Sequence, residues 1–108
     1  MSENPTNTVL FLMRLTSLEL REEYETWVRE VDTPGAIALP GILSYRVFRL
    51  DAPLNDGDEP IGYDYLEVID VSDLDLYRSS LSSLPASFFD TLRTFIGHAD
   101  GVVASQVN

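Results

Sequence analysis

The sequence predicts an α+β domain of ferredoxin-like architecture: a four-stranded antiparallel sheet with helices on one face, paired into a dimeric α+β barrel. Three observations predict it. The segments succeed one another as β-α-β-β-α-β, the strand segments lack a polar stripe, and 108 residues with 44% hydrophobic content suffice for one core without a disulfide or metal.

Residues 1–7 are polar and contain Pro5, which predicts a loose leader ahead of a single domain over residues 8–108. Thr8 to Leu15 holds the run Val9-Leu10-Phe11-Leu12-Met13, apolar on both faces, the pattern of a strand covered on both sides. Thr16 and Glu19 stand as a capping box for a helix whose stripe is Leu20, Tyr24, Trp27, Val28 and Val31. That helix is expected to end near Asp32, broken by Thr33-Pro34-Gly35, with Pro34 opening a short turn through Ala38.

Gly41 to Leu50 reads as the second strand, and the acidic Asp51–Pro60 stretch as an exposed loop leading to a third strand from Gly62 to Val71. Ser72 is placed to cap a helix through Leu74, Tyr77 and Leu81. After a Ser-rich break, Pro85 opens a helix using Phe88, Leu92, Phe95 and Ile96, ended by Gly97, and a last strand runs from about Gly101 to Val107. Helices on one face leave the other bare and apolar, so a homodimer packed sheet against sheet is expected.

Composition narrows the chemistry. Eighteen carboxylates against seven cations give a net charge of −11, which repels nucleic acid and anionic lipid surfaces. The longest apolar run, Val9 to Met13, is too short to span a bilayer, and a soluble cytoplasmic protein is expected. The chain has neither cysteine nor lysine, which excludes thiol nucleophiles, zinc–thiolate sites, Schiff bases and a P-loop. One histidine leaves no paired-imidazole metal site, and no Gly-x-Gly-x-x-Gly cradles a dinucleotide. Any catalysis rests on carboxylates, tyrosines, arginine and one imidazole, without a cofactor.

Glu67 is the foremost candidate. It shares a strand face with Tyr63, Tyr65, Ile69 and Val71 in a strand covered on both sides, where desolvation raises a carboxyl pKa and makes a general acid or base. The competing reading is a buried carboxylate paired with Arg46 or Arg49. His98, after Gly97, is either a proton carrier or a surface histidine at a helix C-terminus. Trp27 is core or the wall of a pocket for an aromatic ligand, and Tyr45, Tyr63 and Tyr65 offer hydroxyls to a cavity while also being good strand formers. Arg29 is accounted for by helix pairing with Glu25 and Asp32, and Asp32 itself by a turn ahead of Pro34.

The segments Trp27-Val28-Arg29-x-Val31-Asp32, Leu39-Pro40, Ser44-Tyr45-Arg46-Val47 and Tyr63 to Val71, followed by Asp73-Leu74-Asp75, resemble the RedY-like (HapK-type) family in order and spacing over residues 8 to 107. The loop from Asp51 to Pro60 and the C-terminal strand depart from the family pattern. The resemblance implies a dimeric α+β barrel and a cofactor-free cyclase acting on indole- or pyrrole-derived intermediates of prodiginine and bisindole pathways. Glu67 or His98 would move protons, Tyr45, Tyr63, Tyr65 and Arg46 would orient polar groups, and Trp27 would wall the pocket. A cofactor-independent monooxygenase of the same architecture, and a non-catalytic binder of an unstable intermediate, are the alternatives.

Overall fold

Pairing of the apolar segments produces a four-stranded antiparallel sheet in the order β2-β3-β1-β4, formed by β1 (Asn7–Leu15), β2 (Ile42–Arg49), β3 (Tyr65–Val71) and β4 (Ile96–Ala104). The computed structural model describes residues 7–108. Of the expected leader, residues 1–6 lie outside the described residues, and Asn7 opens β1.

The two strands with the most continuous apolar runs, β1 and β3, occupy the centre of the sheet, each paired along both edges. Their register pairs Val9 with Ile69, Phe11 with Glu67 and Met13 with Tyr65, so these six side chains share the face covered by helices. On the opposite face, Leu10 and Leu12 of β1 stand beside Val68 and Leu66 of β3, flanked by Phe48 of β2 and Val102 of β4. No helix among the described residues covers that face.

The first helical segment runs as α1 (Arg21–Trp27), a π-helical turn (Val28–Asp32) and α2 (Thr33–Ile37), with no break between them. Thr33-Pro34-Gly35 therefore does not end the helix as expected. Pro34 has no N–H to give Glu30 and its ring would crowd that carbonyl, and the wider π turn opens the backbone there. Four-residue steps then hold Tyr24, Val28, Asp32 and Ala36 buried, while Val31, expected on the stripe, is 49% exposed.

Other boundaries move for local reasons. Ser17, not Thr16, caps the first turn by accepting from the Glu19 N–H, while the Thr16 hydroxyl donates to the Thr94 carbonyl. Asp73, not Ser72, caps α3 (Leu74–Ser82), its carboxylate accepting from the Leu76 N–H at 2.9 Å. Gly62 has φ +83°, so β3 starts only at Tyr65 and Tyr63 lies off the strand. Helix α4 (Ala86–Phe95) passes directly into β4 at Ile96, five residues before the expected start and ending at Ala104. The His98-to-Gly101 stretch has little strand propensity, and pairing with Phe11–Arg14 makes it a strand.

The core divides in two: Val9, Ile69, Val71 and Tyr77 at one end, Met13, Tyr24, Val28 and Tyr65 at the other. Phe11 packs on both clusters. A Cβ on Gly101, its partner in β4, would stand 2.6 Å from the Phe11 ring, so only glycine lets that ring lie across the strand.

Candidate functional site

A cavity of about 390 Å³ lies between the sheet and the helices, walled by residues of both core clusters and by α4. β1 gives it Phe11 and Met13, α4 gives it Phe88, Phe89 and Leu92, and the remaining walls are mostly aliphatic. Four polar side chains reach it: Asp32, Tyr45, Glu67 and Tyr77.

Three of them form one unit. The Tyr45 hydroxyl lies between Asp32 Oδ2 and Glu67 Oε2, hydrogen-bonded to both and 2.9 Å from the latter. A phenol has one proton, so it donates to one carboxyl and accepts from the other, and the second contact requires that carboxyl to be protonated. Burial, followed by the Asp32 charge, pushes the Glu67 carboxyl up to about 7, against a smaller downward pull from Tyr45. Burial also raises Asp32, opposed by its hydrogen bond from Tyr45. The Tyr45 hydroxyl is pushed far up by burial and by both carboxylates, so it stays protonated. Near neutral pH the Glu67 carboxyl exchanges between its neutral and charged forms.

The local sequence explains each position. Tyr45 and Glu67 face the helices from β2 and β3, where Tyr45 opposes Ile69 and Val47 opposes Glu67. Asp32 arrives from the helix because the π turn keeps it on the stripe of Tyr24 and Val28. Tyr77 comes from α3, its hydroxyl pushed up to about 12 by burial and the charges of Glu67 and Asp32. Beside the unit, the Tyr24 hydroxyl is buried with no hydrogen-bond partner among the described residues.

The other sequence candidates fall elsewhere. Trp27 packs on Phe88 and Phe95 at ring distances of 5.4 and 5.7 Å, so it backs the cavity wall without lining it. Tyr65 is buried, but its hydroxyl donates to Glu25 Oε2 at 2.7 Å, a carboxylate also held by Arg49 Nε at 3.0 Å. Tyr63 is on the bare face, where its hydroxyl donates to Asp100. His98 is there too, its Nε2 3.0 Å from Asp100 Oδ2, and 46% of its side chain is exposed. Arg46 lies over the Phe48 ring on that same face. Neither Arg46 nor Arg49 meets Glu67, so the ion pair of the competing reading is absent among the described residues.

The cations are committed away from the cavity. Arg29 and Arg49 sit on Glu25, Arg78 and Arg93 pair with Asp75 and Asp90, Arg14 lies over Tyr63, and Arg21 approaches the Tyr65 hydroxyl. No group of three or more His, Asp or Glu side chains among the described residues is clustered to hold a metal ion. No helix among them is long and apolar enough to cross a membrane.

Of the residues singled out in the sequence, Glu67 and Tyr45 reach the cavity, and they meet there Asp32, which the sequence presented as a turn residue. The signal was present: Asp32 follows Tyr24 and Val28 in steps of four, the spacing of the buried stripe. Its position before Thr33-Pro34-Gly35 suggested a turn residue instead.

Four antiparallel strands in this order, with helices on one face and a cavity beneath them, define a ferredoxin-like α+β protein. Solved structures of that fold include a cofactor-independent oxygenase, SnoaB, from Streptomyces nogalater, with a TM-score of 0.70 and 14% identity over 97% of this chain and 96% of that one. A dimeric ferredoxin-like protein of unknown function from Thermobifida fusca matches with a TM-score of 0.65 and 17% identity, covering 98% and 95%. HapK from Hahella chejuensis matches with a TM-score of 0.76 and 22% identity over 94% of this chain and 93% of that one. A search of the curated proteins finds no match. The family model of the REDY-like protein HapK matches residues 7–107, and the chain belongs to that family.

Proposed function

We propose that this protein is a cofactor-independent cyclase that closes a ring in a tryptophan-derived bisindole, or related pyrrole-type, intermediate of bacterial natural-product biosynthesis. The observation that carries this reading is the Asp32–Tyr45–Glu67 unit in a mostly apolar cavity. A volume of about 390 Å³ suits one ligand of drug-like size, and the aromatic walls suit flat rings.

Ring closure of such a compound proceeds by proton transfers. Ionised Glu67 removes a proton from the substrate, a task for which a value near neutrality is well matched. Tyr45 then offers a path for that proton toward Asp32, by giving its own proton to Asp32 as it takes one from Glu67. The apolar walls keep water from competing for it.

The working form is proposed to be a homodimer, closed over the face on which Leu10, Leu12, Leu66 and Val68 stand half-buried. The dimeric relative from Thermobifida fusca supports that arrangement.

The direct test is incubation of purified protein with the imine dimer of oxidised indole-3-pyruvate. A cyclised product formed only with active protein is expected, and an unchanged product profile rejects the reading. The fold of SnoaB, a cofactor-independent oxygenase, supports a second reading, because a base in an apolar cavity also suits a substrate carbanion that reacts with O₂. Oxygen uptake during turnover separates the two. If Glu67→Gln leaves pathway output intact, the protein is instead a non-catalytic carrier of the intermediate.

A further inference from the structure

The cavity has a charge character that bears on which ligand it seats. Its walls hold two carboxyls and two phenols, and no arginine or histidine among the described residues lines it. The seven cationic side chains of the chain are arginines, and those that form ion pairs do so on the surface or with Glu25. The imidazole of His98 is on the opposite side of the sheet, beside Asp100.

Asp32 uses Oδ2 and Glu67 uses Oε2 to meet Tyr45. Their second oxygens have no hydrogen-bond partner among the described residues, although both side chains line the cavity. Acceptors left unbonded in a mostly apolar cavity are ready partners for the donors of a ligand.

We propose that the cavity seats a neutral or cationic heteroaromatic ring, with its N–H or O–H donors on Asp32 and Glu67, and rejects the same ring when it carries a carboxylate. A ligand carboxylate would lose its hydration, meet no counter-ion, and stand beside a negative unit. An indole N–H meets a free acceptor instead, and a protonated imine or amine adds Coulombic attraction. Any intermediate that still bears carboxylates has to hold them at the cavity mouth, away from Asp32 and Glu67. The inference rests on the same cavity being the ligand site and specifies which part of the ligand enters it.

Three indoles of similar size but different charge test it by calorimetric titration into the full-length protein at pH 8: indole-3-acetamide, tryptamine and indole-3-acetate. The acetamide and tryptamine are expected to bind at least tenfold more tightly than the acetate. In the double variant D32N/E67Q that preference is expected to fall to within about threefold, since both wall charges are gone. Should the variant not fold, the wild-type protein gives the same comparison. Its preference for acetamide over acetate is expected to narrow at pH 5.5, where Glu67 holds its proton, relative to pH 8.5.

Equal affinity for all three, tighter binding of the acetate, or binding of none overturns the proposal. A preference that ignores both the double substitution and pH overturns its assignment to these two groups. Neither measurement depends on turnover, so loss of the cyclase reading and loss of this one are separable.

Discussion

A carboxyl held near neutrality in an apolar wall has consequences for both rate and stability. Because the Glu67 value is raised from 4.5 to about 7, the folded protein keeps a proton that the unfolded chain releases. The associated stabilisation is complete below about pH 4.5, is lost as pH rises through 7, and amounts to about 3 kcal/mol. Glu67→Gln removes that dependence. Thermal denaturation is therefore expected to give a higher Tm for the variant than for wild type at pH 8, and little difference at pH 5. The partners of Glu67 tune it in opposite directions, since Asp32 raises its value and Tyr45 lowers it. In kcat/KM profiles, Asp32→Asn is expected to move the rising limb below pH 7 and Tyr45→Phe to move it above. A shift of both variants in one direction would contradict the unit as described. His98→Ala is expected to leave the limb in place, because that imidazole faces Asp100 across the sheet from the cavity.

At the scale of elements, the site depends on two departures from regular geometry. The π turn at Val28–Asp32 carries Asp32 onto the buried stripe, and Gly101 gives the Phe11 ring room to form cavity wall. Gly101→Ala places a Cβ 2.6 Å from that ring, and the ring must move. Overpacking of this sort costs about 1–3 kcal/mol. Chemical denaturation is expected to show that loss, together with weaker ligand binding, and an unchanged midpoint would mean that the ring accommodates the methyl freely. These same elements show where sequence reading stops. Apolar runs and alternation locate β1, β2 and β3 to within a few residues, because apolar patterning along each segment is a local record. The start of β4 leaves none: His98, Ala99, Asp100 and Gly101 become strand through pairing with β1, a partner more than eighty residues away. The continuous helix through Pro34 is illegible for a related reason, since proline normally marks an end and only the π turn admits it. Glu67 was legible because a charge on the otherwise apolar inward face of its strand conflicts with its setting. Asp32 was obscured by a neighbouring turn signal.

For the whole molecule, the bare sheet face and the net charge of −11 act against each other. Apolar side chains from the central strands favour association over that face, while like charges on two copies oppose it. A homodimer is expected in light scattering after size exclusion, and it should tighten as added salt screens the repulsion. Leu12→Asp, which puts a carboxylate in the middle of that face, is expected to give monomers. Monomeric wild-type protein at micromolar concentration would refute the proposed assembly without touching the cavity chemistry, since Asp32, Tyr45 and Glu67 all belong to one copy of the chain.

The central claim is that Glu67 moves the proton in ring closure. Its most direct measurement is the pH dependence of kcat/KM for cyclisation of the oxidised indole-3-pyruvate imine dimer, in wild type and in Glu67→Gln verified as folded by circular dichroism. Wild type is expected to rise through an apparent pKa of about 7, and the variant to lose at least about a hundredfold and show no limb. A folded Glu67→Gln protein that cyclises this substrate at the wild-type rate, with the same pH profile, would contradict the claim.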